Sequence, residues 1–365
     1  MRHFDITIIG NRIAAASALI SLGQRFAHSP PLTVALIAPK PSTKTRPLIG
    51  ESLPPTVKPL LQKMHLWEDF CAQQYPAPEV RFTCWGSDQL HPSFAEHSPN
   101  GFGWCVDRHQ FEQRLWQRAQ HTPFDRLETR FKHSEKTPHG WRLKLSSGEP
   151  ISTRFVLDCS GRTARFAKTH STRQKGPRIL AACDFLNPLN EPVERTSGVM
   201  IEAVKDGWWY SALLPNGQLA VAYFTDHQHM PKALCQHEER WQHSLDHSQY
   251  TQLRIQTGAF SSYNQPHLYD ASMSCLTQTT GDHWLACGDA AITLDPLSSH
   301  GMSTALWSGH KGANACIEAL QGKHQGLQAY NQSCQQNWQL YCQQRQTIYR
   351  QQNRFQQASF WQNCV

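Results

Sequence analysis

The sequence predicts an α/β protein in which a parallel-sheet domain is interleaved with a mostly antiparallel sheet domain and followed by C-terminal helices. Three observations support this prediction. An apolar run, a small-residue helical stretch and a second apolar run follow one another at the start of the chain, as in a βαβ unit. Short alternating runs separated by turn residues fill the middle of the chain. A long stretch without proline or glycine ends it, which favours helix.

The composition is that of a globular protein. The 365 residues, of which 39% are hydrophobic and 17% charged, are enough to bury a substantial core. No apolar run approaches the length of a membrane span, and the first predicted strand begins too early to leave room for a cleavable signal. The twelve cysteines are scattered and form no C-x-x-C pair, which favours reduced thiols in the cytoplasm.

Nucleic-acid binding and metal binding find little support. The formal net charge is +7, but the basic residues are not clustered with aromatic residues, so no nucleic-acid partner is expected. The pairs His227/His229 and His237/Glu238 lack a second set of ligands at a useful spacing, so no metal site is expected.

A degenerate phosphate-binding turn follows the first predicted strand, residues 4–9. On the pattern G-x-G-x-x-G/A, Gly10 fills the first position and Ala15 the last, but Arg12 replaces the glycine that lets the backbone approach a pyrophosphate. The acidic residue expected after the second strand, residues 32–38, is absent. Two interpretations stay open: the Arg12 guanidinium contacts a diphosphate, or the adenine half of a dinucleotide is held loosely. We favour a weakened, reversible site.

The most specific motif is C-G-D-A-A-I-T-L-D-P-L-S-S-H-G-M-S-T, at residues 287–304. It predicts a buried strand, a loop and a helix that is entered through Gly301. Asp289 lies where a strand of an open α/β sheet would end, and such sheets bind their ligands at that edge. The backbone N–H groups at Gly301 and Met302 would face an anion or an electron-rich carbonyl.

This motif, G-D-A-A followed by D-P-L-S-S-x-G, resembles the second flavin motif of the FAD-dependent hydroxylases and halogenases with the p-hydroxybenzoate hydroxylase fold. The resemblance implies a Rossmann-like FAD-binding domain in which Asp289 binds the ribityl hydroxyls and Pro296 lines the face where oxygen reacts. It also implies that the helix start at Gly301 and Met302 faces flavin N1. His300 is the titratable group that we expect to handle protons at the flavin edge; a histidine bonded only to backbone is the alternative.

Three further segments extend the resemblance. The loop G-E-S-L-P-P, residues 50–55, resembles the loop beside the flavin ring, which implies that Glu51 lies near the flavin. Arg46 is a candidate contact of a flavin phosphate or ribose, with an ion pair to Glu51 as the alternative. Arg108 matches an arginine that reaches the cofactor, and a structural role at a helix start is the alternative. The segment D-C-S-G-R implies that Asp158 lies near the adenosine side of FAD.

The motifs divide the chain into two interleaved domains and a helical tail. The FAD-binding domain is assigned to residues 1–75, 100–170 and 275–325, the substrate domain to 76–99 and 171–274, and the C-terminal helical segment to 326–365. Predicted strands of the substrate domain cover residues 179–185, 198–204, 208–214, 218–224 and 253–260. Pro215-Asn216-Gly217 separates two of them as a hairpin turn would. The tail is expected to pack across both domains.

Aromatic residues of the substrate domain are candidates for substrate contact. They are Trp208, Trp209 and Tyr210 in the segment G-W-W-Y, and Trp85 in W-G-S-D. Tryptophans in a sheet more often belong to the core. In the family that the sequence resembles, however, this strand faces the flavin cavity.

Taken together, G-E-S-L-P-P, W-G-S-D, G-W-W-Y and D-P-L-S-S-x-G resemble the flavoproteins that mature enzymes containing cysteine tryptophylquinone. The resemblance implies an FAD-dependent monooxygenase that hydroxylates a tryptophan of a precursor protein through a flavin C4a-hydroperoxide. The precursor would be that of a quinone-cofactor oxidase or dehydrogenase. Tryptophan halogenases carry a lysine after the G-E loop; the stretch at residues 80–85 offers Arg81 but no lysine, which argues against halogenation.

Two alternatives remain. One is an FAD-dependent hydroxylase or halogenase-like enzyme that acts on a small aromatic molecule. The other is a non-catalytic maturation chaperone with a relic flavin site, which the altered glycine turn keeps open. The electron donor is either NAD(P)H or a separate reductase, because the longer pattern of hydroxylases that reduce themselves with NAD(P)H is not evident.

Overall fold

The computed structural model describes residues 1–26, 32–40, 47–189, 198–231, 234–235, 237–261 and 265–364. Its helices are α1 (Ile13–Phe26), α2 (Lys58–Lys63), α3 (Trp67–Cys71), α4 (Arg108–Ala119), α5 (Glu238–Asp246), α6 (Tyr250–Thr257), α7 (Gly301–Leu320), α8 (Gln325–Gln351) and α9 (Ser359–Cys364). Its strands are β1 (Arg2–Ile9), β2 (Val34–Ala38), β3 (Ser52–Leu53), β4 (Val80–Cys84), β5 (His91–Phe94), β6 (Trp104–Cys105), β7 (Asp125–Glu128), β8 (Phe131–Thr137), β9 (Gly140–Leu145), β10 (Ile151–Asp158), β11 (Arg173–Lys175), β12 (Ile179–Pro188), β13 (Gly198–Val204), β14 (Gly207–Leu213), β15 (Leu219–Asp226), β16 (Phe260–Ser261), β17 (His267–Asp270), β18 (Ser274–Leu276), β19 (Thr280–Gly281), β20 (Trp284–Ala286) and β21 (Ile292–Thr293).

One sheet has a parallel centre. Strands β20, β10, β1, β2 and β7 lie side by side in that order and run parallel. Ile6 and Ile8 of β1 pack with α1 and α7 on one face, while Ile37 of β2 packs on the other. Strands covered on both faces are continuous apolar runs, which is why the sequence predicts β1 and β2 correctly.

The second large sheet is mostly antiparallel and follows the order β16, β12, β15, β14, β13, β4 and β5. Strand β4 pairs in parallel with β13, so that a segment from early in the chain joins strands from its middle. The predicted hairpin turn connects β14 to β15, and Gly217 adopts the positive φ of 81° that this turn requires. The predicted α/β fold class is confirmed.

One predicted strand is wrong. Residues 253–260 were expected to be extended, but the chain forms α6 up to Thr257 and only then a short strand. The reason is a distant cap: the buried Glu202 carboxylate of β13 accepts hydrogen bonds from the backbone N–H groups of Gln249, Tyr250 and Thr251, at 2.7, 3.1 and 2.8 Å. These bonds satisfy N–H groups at the start of the helix, which no local pattern reveals.

The C-terminal segment is helical, as the sequence predicts. Trp338 of α8 belongs to the core on one face of the parallel sheet, whereas Tyr349 of the same helix packs with Trp208 of the antiparallel sheet. Helix α8 therefore spans the cores of both sheets. In the part of the chain that the structure describes, no helix combines the length and the apolar character needed to cross a bilayer.

Candidate active site

A cavity of about 450 Å³ lies between the two large sheets. Strands β1, β10 and β20 end at the same edge of the parallel sheet, and the residues that follow them line the cavity. The opposite wall consists of side chains from β12, β14 and β15. The site therefore lies at the carboxyl ends of parallel strands, where open α/β sheets bind their ligands.

The start of α7 faces this cavity. Gly301 and Met302 line it, and His300 provides no side-chain hydrogen bond to cap the helix. A Cβ added at Gly301 would meet no heavy atom within 4 Å, so the space beside the backbone is open. Uncapped N–H groups at the positive end of a helix suit an anion or an electron-rich carbonyl.

The glycine turn after β1 is formed despite its altered pattern. Gly10 has a φ of 125°, and a Cβ there would lie 2.1 Å from the carbonyl oxygen of Cys159, so this position tolerates no side chain. Arg12 lines the cavity, and its Nη1 lies 3.1 Å from Oε2 of the buried Glu112. Ala15 does not line the cavity; it is fully buried in the core around α1.

Glu51 and Arg108 lie together at the cavity wall. The Glu51 carboxyl is buried, which raises its pKa, and the Gly50 N–H donates to it at 2.9 Å. Arg108 donates to the Ile49 carbonyl and, at 3.0 Å, to Glu112. Arg108 therefore holds the Glu51 loop in place and also presents a cation to the cavity.

Arg46 lies outside the described residues, so neither its predicted cofactor contact nor the alternative ion pair with Glu51 can be located in the structure. The proposed contact of Arg46 with a phosphate or ribose stays a prediction.

Asp158 does not line the cavity, contrary to expectation. Its carboxylate is fully buried and accepts backbone N–H bonds from Ser160, Phe166 and Ala167, at 3.0, 3.0 and 2.8 Å. The turn after β10 needs this acceptor to satisfy its own backbone. The role of Asp158 in the structure is therefore to hold the turn that carries Arg162.

Asp289 and Arg162 form a charged part of the cavity wall. Asp289 lines the cavity with its side chain 44% exposed, and Arg162 Nε lies 3.8 Å from its Oδ2. Arg162 was not among the predicted site residues, although it is the last residue of the D-C-S-G-R motif. It also donates to the carbonyl of Ser272 at 2.6 Å, which fixes the guanidinium beside the cavity.

Pro296 and His300 lie on the loop between Asp289 and α7, and both line the cavity. Since the Ser298 carbonyl can only accept, His300 Nδ1 carries the proton in their hydrogen bond. Burial lowers the pKa of His300, which favours the neutral ring and leaves Nε2 able to accept a proton. His300 therefore makes the backbone hydrogen bond and also lines the cavity.

The aromatic candidates divide into two groups. Trp208 and Tyr210 line the cavity, because alternate residues of β14 face the same side of the sheet. Trp209 points to the opposite face, where its ring stacks on Tyr223 at 4.7 Å and packs against Trp241. Trp209 is therefore a core residue and not a substrate contact, which corrects the prediction.

Trp85 is also a packing residue. Its Nε1 donates to the carbonyl of Ile348 at 2.8 Å, and its ring lies against Tyr349 and Trp361 at centroid distances of 5.7 and 5.2 Å. Its ring packs edge-on against that of Trp208, with the ring centroids 6.5 Å apart, and it does not line the cavity. Its predicted contact with substrate is corrected accordingly.

The residues present suit the FAD that the sequence predicts. Gly161 lines the cavity, and a Cβ there, as at Gly301, would project into open space. The uncapped start of α7 offers N–H groups, while Arg12 and Arg162 add cations. Open backbone, free N–H groups and guanidinium groups are the features that bind a diphosphate and a polar ring edge.

Comparison with known proteins agrees with this geometry. The sequence model of the tryptophan halogenase family matches residues 61–365, and the chain belongs to that family. LodB of Marinomonas mediterranea, whose name describes an FAD-dependent oxidoreductase, is 22% identical over 99% of this chain and 97% of its own.

Two solved structures show the same fold at low sequence identity. The myxobacterial chondrochloren halogenase CndH superposes with a TM-score of 0.85 at 19% identity, covering 100% of this chain and 86% of the other. QhpG, described as a peptidyl tryptophan dihydroxylase essential for tryptophylquinone cofactor biogenesis, superposes with a TM-score of 0.76 at 20% identity. The match covers 99% of this chain and 78% of QhpG.

Proposed function

We propose that this protein hydroxylates a tryptophan side chain of a precursor protein during biogenesis of a tryptophylquinone cofactor. The chain is an FAD-dependent enzyme of the tryptophan halogenase family. The fold that it shares with QhpG, which is described as a peptidyl tryptophan dihydroxylase, supports the choice of substrate class.

The observation that carries the proposal is the composition of the cavity wall. Trp208, Tyr210 and Phe224 form an aromatic side, and His300 supplies a group that can accept a proton. Among the described residues that line the cavity there is no lysine, the residue expected of a tryptophan halogenase. The described part of this wall suits an indole and has no amine with which to hold a hypohalous acid.

A second cleft adjoins the cavity. This cleft of about 370 Å³ shares Leu48, Glu51 and Arg108 with the cavity and extends to Asn216 and Gln218 at the β14–β15 hairpin. A residue presented by another protein could enter by this cleft without being fully enclosed. This geometry supports a macromolecular substrate over a small molecule.

Each wall of the cavity has a chemical task in this proposal. Bound FAD, when reduced, activates oxygen and supplies it as an electrophile. Asp289 and the start of α7 would hold the cofactor, and Pro296 would contribute to the cavity wall beside it. The aromatic wall orients the indole and excludes water, and His300 Nε2 accepts the proton that the ring carbon loses.

The test is co-expression of this chain with candidate precursors of quinone-cofactor enzymes, followed by intact-mass measurement of the precursor. We expect the mass of one or two added oxygen atoms, located on a tryptophan by peptide fragmentation. The isotope pattern of chlorine or bromine on that tryptophan would instead identify a halogenase, the second candidate, which the family assignment favours. An unchanged precursor in every pairing would contradict the proposal.

A further inference from the structure

A buried tyrosine of the C-terminal helix joins the two walls of the cavity. Tyr349 of α8 accepts a hydrogen bond from Trp208 Nε1 at 3.1 Å and donates its own hydroxyl proton to Asp295 Oδ2 at 3.2 Å. Trp208 belongs to the aromatic wall, whereas Asp295 begins the loop that carries Pro296. One hydroxyl therefore connects the substrate side to the cofactor side.

The connection is built from buried groups. Trp208, Asp295 and Tyr349 are at most 5% exposed. In such surroundings an unmade hydrogen bond leaves a desolvated polar group, so the geometry is strongly specified. Burial and the neighbouring Asp295 raise the pKa of Tyr349, which keeps its hydroxyl protonated and able to donate.

Helix α8 also holds the charge of Asp295. Arg345, one turn before Tyr349, donates from Nε to Asp295 Oδ2 at 2.7 Å and lies over the Tyr349 ring at 4.1 Å. Its Nη1 donates to the carbonyl of Cys364 in α9. The end of the chain thus fixes Arg345, which in turn fixes the Asp295 carboxylate.

Asp295 organises the loop that leads to α7. Its carboxylate accepts from the N–H of Leu297 at 3.0 Å, and its carbonyl accepts from the Ser298 hydroxyl at 2.7 Å. The Ser298 carbonyl then accepts from the His300 ring. A displacement of Asp295 would therefore be passed along the loop to Pro296 and His300.

We propose that Tyr349 is a positioning residue that sets the register between the aromatic wall and the Pro296–His300 loop, so that the C-terminal helix completes the active site. Its contribution to hydroxylation rests on the function proposed above. Its effect on the environment of bound FAD does not. Neither Tyr349 nor Arg345 lines the cavity, so both act through Trp208 and Asp295.

The test compares two tyrosine hydroxyls of the same helix. Tyr349→Phe keeps the ring and removes the bridge. Tyr330→Phe is the matched control, because the Tyr330 hydroxyl is also buried and donates to the carbonyl of Ala286 at 2.6 Å, but Tyr330 does not line the cavity. Each purified variant is loaded with FAD, and its FAD affinity and the visible circular dichroism of the bound flavin are measured.

We expect both variants to bind FAD within about threefold of the wild-type Kd, because neither hydroxyl is placed at the cofactor. Only Tyr349→Phe should change the visible circular dichroism, since only it releases the loop beside the flavin. With a precursor that the wild type hydroxylates, it should also raise the hydrogen peroxide released per hydroxylation. Equal spectral changes in both variants, or none in Tyr349→Phe, would overturn the proposal.

A second variant keeps the test decisive if Tyr349→Phe does not fold. Trp208→Phe removes the other end of the bridge and should produce the same direction of spectral change. Where both variants fold, the spectral change of the double variant should be little larger than that of either single variant, because both substitutions remove the same connection. The two claims can fail separately. A spectral change in Tyr349→Phe, together with a precursor that the wild-type enzyme leaves unmodified, would support the positioning role and contradict the proposed reaction.

Discussion

At the scale of single residues, the cavity assigns different tasks to groups that the sequence presents alike. His300 and Asp158 both lie in motifs that resemble flavin-binding segments. The structure turns His300 toward the cavity and uses the Asp158 carboxylate for the backbone of its own turn. A motif therefore predicts which loop a residue belongs to more reliably than it predicts where the side chain points.

His300→Ala should lower the yield of modified precursor without abolishing FAD binding. Because burial lowers the pKa of His300, the neutral ring that accepts a proton is already present at neutral pH. The wild-type rate should fall as pH drops through a value below the ordinary histidine pKa, and this fall should be absent in the variant. Turnover at saturating precursor across pH is the measurement, and an unchanged yield would remove His300 from the mechanism.

Arg12→Ala distinguishes the two interpretations of the altered glycine turn. If the guanidinium contacts the diphosphate, losing a charge-assisted hydrogen bond of about 1.5–3 kcal/mol should weaken FAD binding by roughly tenfold or more. Quenching of flavin fluorescence measures the Kd. Arg118→Ala, an exposed change on α4, is the control and should have no effect. An unchanged Kd for Arg12→Ala would favour the loosely held adenine half.

At the scale of elements, contacts distant in sequence decide what the local pattern leaves open. Residues 253–260 alternate enough to predict a strand, yet α6 forms because Glu202 of β13 caps it. In the same way, Trp208 and Trp209 are adjacent and chemically identical, but they lie on opposite faces of β14. Trp208 faces the cavity, whereas Trp209 packs in the core on the other face. Such outcomes depend on sheet pairing, which single-sequence patterns do not fix.

Glu202→Ala should destabilise the fold by about 3 kcal/mol, because it leaves the N–H groups at the start of α6, including that of the buried Thr251, without their charged acceptor. Urea unfolding followed by circular dichroism measures the change. Glu135→Ala is the control, since Glu135 makes exposed ion pairs with Arg142 and Lys144, and its loss should leave the urea midpoint nearly unchanged. Equal destabilisation by the two changes would mean that Glu202 does not cap the helix.

At the scale of the whole molecule, the sequence predicts the two sheets, the helical tail and several residues of the cavity wall. Asp289, Pro296 and Gly301 line the cavity, and Gly10 forms the turn beside it; ordered motifs predict all four positions, because turns and helix starts impose local residue choices. The bridge through Tyr349 could not be predicted. It joins residues 208, 295 and 349, which only the packing of α8 across both sheets brings together.

The central claim is that oxidation of a protein tryptophan takes place in the cavity beside Asp289 and α7. The most direct measurement is the intact mass of a precursor co-expressed with the wild-type chain or with Asp289→Ala. The account predicts added oxygen on a tryptophan with the wild type and an unmodified precursor with the variant. Added oxygen at the same yield with both chains would contradict it, because the cavity would then not be the place of reaction.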